Sequence, residues 1–213
     1  MTALGIHDYW LFVVTGVLLN LTPGQDTFYI LGRSMAHGVR AGVASAFGIG
    51  AGSILHTIMA AVGLSALLAA SATAFILVKL IGAAYLVYLG VRMITTRSAA
   101  LAANLPRASN TASSFAAFRD GLVTNVLNPK VALFFLALMP QFIDAGSSSK
   151  VLAFVALGLT FVTTGTVWCL VLVFCAGRLR HFFAHHPRKL AFVSRTAGGL
   201  FVLLGVRLAV SRQ

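Results

Sequence analysis

Two stretches decide how this chain folds: Asn20-Leu21-Thr22-Pro23-Gly24-Gln25-Asp26 and Asn125-Val126-Leu127-Asn128-Pro129-Lys130. Each interrupts an apolar run with a proline, which lacks the backbone N–H and clashes with an earlier carbonyl, so the helix opens there. Each also places an ionisable residue beside the opening, Asp26 in the first and Lys130 in the second. A charge held at mid-membrane costs several kcal/mol unless it is paired or hydrated.

Outward from these stretches lie six apolar runs, roughly Tyr9–Leu31, Ala41–Ala66, Thr73–Val91, Gly121–Met139, Leu152–Ala176 and Leu190–Val210. Only 9% of the 213 residues are charged and glutamate is absent, whereas a soluble domain carries about 25% charged residues. So few charges cannot cover a water-facing surface, and lipid is the natural solvent. Helices satisfy their own backbone hydrogen bonds in lipid, and the alternation of barrel strands is missing. At about 20 residues per span, six helices with short loops fill the length. The expected class is therefore an all-α integral membrane protein with six transmembrane helices. The first run begins without a preceding Lys or Arg and reads as a retained span rather than a cleaved signal.

A net charge of +12 raises the question of nucleic acid, but a nucleic-acid binder gathers its basic residues on one face. Here they alternate by loop. Arg33 and Arg40 follow the first run, Arg92, Arg97, Arg107 and Arg119 the third, and Arg178, Arg180, Arg188, Lys189 and Arg195 the fifth. The intervening connections carry only Lys150. The positive-inside rule then puts the basic loops in the cytoplasm and both termini outside. No nucleic-acid partner is expected. Cys169 and Cys175 share one apolar run and point to different sides of a helix, so no disulfide is expected between them.

The segment Ser98–Ser114, rich in Ala, Ser and Asn, reads as a cytoplasmic linker. It divides the chain into residues 1–97, the linker 98–114, and residues 115–213. Leu89-Gly90-Val91-Arg92 closes the third run, and Leu204-Gly205-Val206-Arg207 closes the sixth, with Val87 and Val202 in the same register. Basic residues open both segments, at Lys79 and Arg195. Three spans per half would insert the second half upside down, the inverted-repeat plan of many secondary transporters. Pro23 lies ten residues before Arg33, and Pro129 ten after Arg119. At 1.5 Å per residue each break is about 15 Å from its cytoplasmic arginine, half of a roughly 30 Å core. Paired breaks at one depth point to a binding site.

Several further residues are weaker candidates. His56 shares a helical face with Gly48 and Gly52, a small-residue surface suited to internal packing or a homodimer. It is read either as a proton relay or as a packing histidine. Lys79 could serve the site or snorkel to the surface, and Tyr85 could line a cavity or pack. His181, His185 and His186 read as a solvated loop. No metal or cofactor is expected, because metal sites want clustered carboxylates, thiolates or imidazoles. A His-Glu-x-x-His metalloprotease is excluded by the missing glutamate, and an aspartyl protease by the single embedded acid.

The motifs taken together resemble the LysE/RhtB family of amino-acid exporters. The resemblance rests on Pro23-Gly24-Gln25-Asp26 with Leu31-Gly32-Arg33, and on Gly48-Ile49-Gly50-Ala51-Gly52 with His56. It continues in Lys79-Leu80-Ile81-Gly82-Ala83-Ala84-Tyr85-Leu86, in Gly121 through Lys130, and in Pro140-Gln141-Phe142. The family often has Pro-Gly-Pro-Asp where this chain has Pro23-Gly24-Gln25-Asp26. The resemblance implies a bacterial inner-membrane exporter of amino acids or close derivatives, of the homoserine, threonine, lysine and leucine class, driven by protons. The alternative is an exporter of another small solute or a metal ion. In the amino-acid reading Asp26 holds the substrate ammonium or the exchanged proton, and Lys130 attracts the carboxylate. Asn125, Asn128, Asn20, Gln25 and the backbone freed at Pro23, Gly24 and Pro129 complete the site. Charge-assisted hydrogen bonds suit a zwitterion in a dry cavity.

Overall fold

The computed structural model describes residues 4–64, 72–95, 113–144, 146–185 and 187–210. Helix α1, Tyr9–Leu21, stops where Pro23 removes a donor. Thr22 turns extended (φ −68°, ψ 121°) while its hydroxyl and N–H bond back to the last turn. After this break α2 spans Gln25–Met59 with Gly24 as its N-cap. A π-helical turn follows at Ala60–Leu64, and α3 covers Ala72–Thr95.

The second half-chain opens the same way. Helix α4, Ser114–Val126, is capped by Ser113, whose side chain accepts from the Ala116 N–H. The chain breaks at Leu127-Asn128, and α5 begins at Pro129–Leu133, with Asn128 accepting the Lys130 N–H. Proline at the first helical position loses nothing, because that N–H has no helical partner anyway. A π turn at Phe134–Leu138 and a 3-10 turn at Met139–Phe142 prolong α5. The two pieces meet at 48°. Helix α6 is Lys150–His185 and α7 is Pro187–Val210.

Helix α2 is not straight. Gly38 adopts φ 80° and ψ −179°, a left-handed φ that favours glycine. The chain doubles back there. Ser34 lies against Gly42, and Ile30 and Leu31 share a buried cluster with Ala46 and Ile49. The expected connection around Arg33 and Arg40 therefore shrinks to one residue between two antiparallel limbs, 25–37 and 39–59.

The architecture is all-helical, and the only β-type pairing among the described residues is an isolated bridge between Ile6 and Ile143. Among the described residues, two stretches are long and apolar enough, by length and composition, to cross a membrane: Gln25–Gly63, which includes the reversal at Gly38, and Lys150–Ala176. The bent pair Ser114–Val126 and Pro129–Phe142 makes a third if counted as one span. Large apolar side chains such as Trp10, Phe115 and Phe192 face outward, as a lipid solvent allows.

Small residues let the helices touch. Gly48 faces the Phe118 carbonyl of α4, Gly52 faces Asn125, and Gly121 faces the Ser45 carbonyl. The Gly48 and Gly52 face is thus buried against α4 and is closed to a second copy of the chain. On α6, Gly158 faces Thr57 and Val173 faces Gly42, with Thr166 against Gly50 between them. Helices α3 and α7 pair similarly: Gly90 rests on Val202 and Gly198, and Gly205 on Val87 and Ala83. The largest core joins α1, α5 and α6, where Phe134 stacks on Phe161 at 4.5 Å between ring centroids. Most of the sequence-level linker, residues 98–112, lies outside the described residues, as does His186 of the histidine cluster.

Candidate functional site at the paired helix breaks

Each break exposes a carbonyl-bearing helix end, and each end is met by a residue from the other half. At the end of α1, the Leu19 and Thr22 carbonyls accept hydrogen bonds from Lys130 Nζ at 3.1 and 3.0 Å. A cation is favourable at a helix C-terminus, where the dipole is negative. Gly24 leaves the room this needs, since a Cβ there would meet Lys130 Nζ at 3.1 Å. At the end of α4, the buried Asn125 donates its Nδ2 to Asp26 Oδ2 at 2.9 Å and accepts from Ser53 at 3.3 Å. The Asn125 carbonyl faces His56 Nε2 at 3.3 Å. Asp26 itself sits in the first turn of α2, where the dipole favours an anion.

Asp26 and Lys130 therefore each have a separate partner, and no ion pair within 4.0 Å joins them. An ion pair between Arg33 and Asp120, together with Tyr29 donating to the Ala117 carbonyl at 2.7 Å, ties the limb 25–37 to α4 on the Arg33 side of the breaks.

Between the breaks lies a cavity lined by Asn20, Asp26, Asn125 and Lys130, by Gly50 and Ser53 of α2, and by Phe161, Gly165, Thr166, Trp168 and Cys169 of α6. It leaves about 20 Å³ for the centre of a water-sized sphere, room for about one water. A larger occupant requires its walls to part. Three of its polar atoms are buried with no protein partner: Asp26 Oδ1, Asn20 Nδ2 and Trp168 Nε1.

The structure thus gathers Asn20, Asp26, Asn125 and Lys130 of the sequence candidates. The others stand apart. Gln25 is exposed at the first position of α2, and Pro129 is exposed at the first position of α5. Pro23 and Gly24 form the bend. Asn128 is buried as the cap of α5. His56 is buried behind Asn125, stacked on Phe135 at 5.6 Å. Tyr85 is half-buried on α3 beside Tyr88. The Lys79 side chain lies outside the described residues. Sequence reasoning missed the wall contributed by α6. Its signal is the cluster Thr160, Thr163, Thr164, Gly165 and Thr166 within an apolar run, the small and hydroxyl-bearing residues that membrane helices use at interfaces. Among the described residues, no group of three His, Cys, Asp or Glu is placed to hold a metal ion.

The LysE type translocator family matches residues 17–212. The chain belongs to that family. This translocator is 34% identical to an uncharacterized membrane protein of Pseudomonas aeruginosa over 99% of each chain. It is 32% identical to the homoserine/homoserine lactone efflux protein of Salmonella typhimurium, covering 97% of this chain and 98% of that one. It is 30% identical to the leucine efflux protein of Salmonella choleraesuis over 96% of each. No solved structure matches it significantly. The translocator is accordingly a multi-pass membrane protein, and the family points to transport rather than an enzyme.

Proposed function

We propose that this translocator exports amino acids or close derivatives across the bacterial inner membrane by alternating access. The observation that carries the reading is the cavity at the junction of the two breaks, lined by an acid with one unpartnered oxygen and by residues with unpartnered amide and indole donors. Relatives named as homoserine and leucine efflux proteins support this substrate class.

The fold reading that goes with it has six spans in two inverted three-helix repeats, residues 1–97 and 115–213. Reciprocal contacts support it. Gly90 rests on Val202 and Gly205 on Val87, each glycine on the valine of the other segment. Gly42 faces Val173 while Gly158 faces Thr57, with Gly50 and Thr166 between. In both pairs residue numbers rise on one helix as they fall on the other. Such self-complementary antiparallel contacts belong to a two-fold axis across the helices, which is the axis of an inverted repeat. Helices α1 and α4, each of 13 residues before its break, fit the same plan. The limb 25–37 then completes the first span, and both termini lie outside.

Asp26 is the residue for the substrate ammonium or an exchanged proton. Counterflow of labelled leucine or homoserine into proteoliposomes tests the proposal. Saturable exchange is the expected result, and no flux of any amino acid overturns it. An imposed pH gradient tests the proton: if it leaves net flux unchanged, the exporter stands without proton antiport.

A further inference from the structure

Lys130 is the obvious carboxylate ligand for a zwitterion, yet two of its three ammonium protons go to the Leu19 and Thr22 carbonyls. Its geometry makes it the clamp on the end of α1. Besides the third Lys130 proton, the cavity holds two donors that are buried and without a protein partner, Asn20 Nδ2 and Trp168 Nε1. The same cavity is lined by Asp26, whose Oδ1 is an acceptor in the same condition. A buried polar atom without a partner costs about 1–3 kcal/mol, so a ligand that satisfies all three atoms at once gains from each.

Asn20 and Trp168 also share a second feature. They line both the small polar cavity and a larger groove of about 310 Å³ between α1 and α6. Beyond them the groove wall includes Val17, Leu21, Val167 and Val171, and it is almost wholly apolar. The two residues therefore stand at the border between the cavity that holds Asp26 and an open groove whose wall also includes Thr163 and Thr164. An α-amino acid with an aliphatic side chain has that same division within 3–4 bonds.

Resting on the exporter reading, we propose that Asn20 and Trp168 bind the carboxylate of an apolar α-amino acid, whose ammonium meets Asp26 and whose side chain enters the groove between α1 and α6. The indole N–H and the amide N–H each donate to one carboxylate oxygen, hydrogen bonds strengthened by the charge. Lys130 stays on its carbonyls and sets the end of α1 that carries Asn20.

The test uses the full chain in proteoliposomes with labelled leucine, and with leucinamide and lysine as competitors. Leucinamide keeps the amine and the side chain but lacks the carboxylate. Wild type should prefer leucine to leucinamide by about tenfold or more, the scale of one lost charge-assisted hydrogen bond, and to lysine by a similar factor, because a charged side chain is costly in an apolar groove. Trp168→Phe keeps the ring and removes only the donor. It should raise the leucine KM about tenfold, hold kcat, and narrow the preference for leucine over leucinamide, the remainder resting on Asn20. Asn20→Ala should act in the same direction and serves as the second variant if the first does not insert. The inference is overturned if both variants keep the wild-type KM and the wild-type discrimination. It is equally overturned if lysine competes as well as leucine. Either failure leaves the exporter reading intact, because wild-type counterflow is scored separately. Absence of any wild-type amino-acid flux removes both.

Discussion

The two helix breaks look alike in sequence and differ in what their polar groups do. At the second break the polar side chains serve mainly to hold the joint, although Asn128 Nδ2 is buried without a partner. Asn128 caps α5, and Asn125 carries hydrogen bonds to Asp26, Ser53 and His56. At the first break the backbone end is held from afar by Lys130, and the neighbouring Asp26 keeps one oxygen without a partner. One break is a joint and the other is a reactive edge. The proline supplies only the opening in each; the residue at the second helical position, an acid in one and a base in the other, sets its chemistry.

Substitutions at matching positions separate the two roles. The largest effect is expected at Asp26. Asp26→Asn keeps the contact with Asn125 through its carbonyl but removes the charge, and counterflow should fall by about a hundredfold, the loss of one buried charge-assisted partner. Retained flux would erase the distinction between the breaks. Next is Lys130→Met, which strips the Leu19 and Thr22 carbonyls of their donor. Unfolding in detergent should show a loss of about 2 kcal/mol, and a variant as stable as wild type would refute the clamp. Asn128→Ala removes a helix cap, a loss of about 1 kcal/mol, with flux per folded molecule unchanged. The smallest effect belongs to Gln25→Pro. Position 25 is the first of α2 and its side chain is exposed, so stability should move by no more than about 0.5 kcal/mol. A large loss there would mean that the helix begins earlier than Gln25.

That last position shows what sequence could and could not convey. Gln25 in place of the family's common proline suggests a shallower break, since it restores a backbone N–H. In the structure that N–H belongs to the first helical residue, where it has no helical partner, and the break is as open as a proline would leave it. The breaks and the membrane-suited helices were legible, because proline and charge inside apolar runs are loud local signals; of the six polar candidates at the breaks, Asn20, Asp26, Asn125 and Lys130 line one cavity while Gln25 and Asn128 do not. The α6 wall was not. Trp168 and Cys169 sit in a run whose one polar hint is the threonine cluster at 160–166, and only the third dimension shows which side of the helix meets the cavity. The Gly48 and Gly52 face was legible as a contact surface, but its owner was not. Two readings of one motif, a dimer and an internal seam, differ only in which helix arrives, and α4 arrives. The doubling-back at Gly38 was hidden because glycine is common in membrane helices, and its backbone angle is visible only in the fold.

Gly38 also constrains how the protein can work as a mechanism. The limbs 25–37 and 39–59 join through one residue and pack on each other at Ser34 and Gly42 and through Ile30, Leu31, Ala46 and Ile49, so they form the two arms of a bell crank. Any swing that opens the cavity at Asp26 must turn the arm carrying Gly48 and Gly52 as well, and with it the seam to α4. The first break cannot be worked alone: leverage applied there is delivered to the helix whose end carries Asn125.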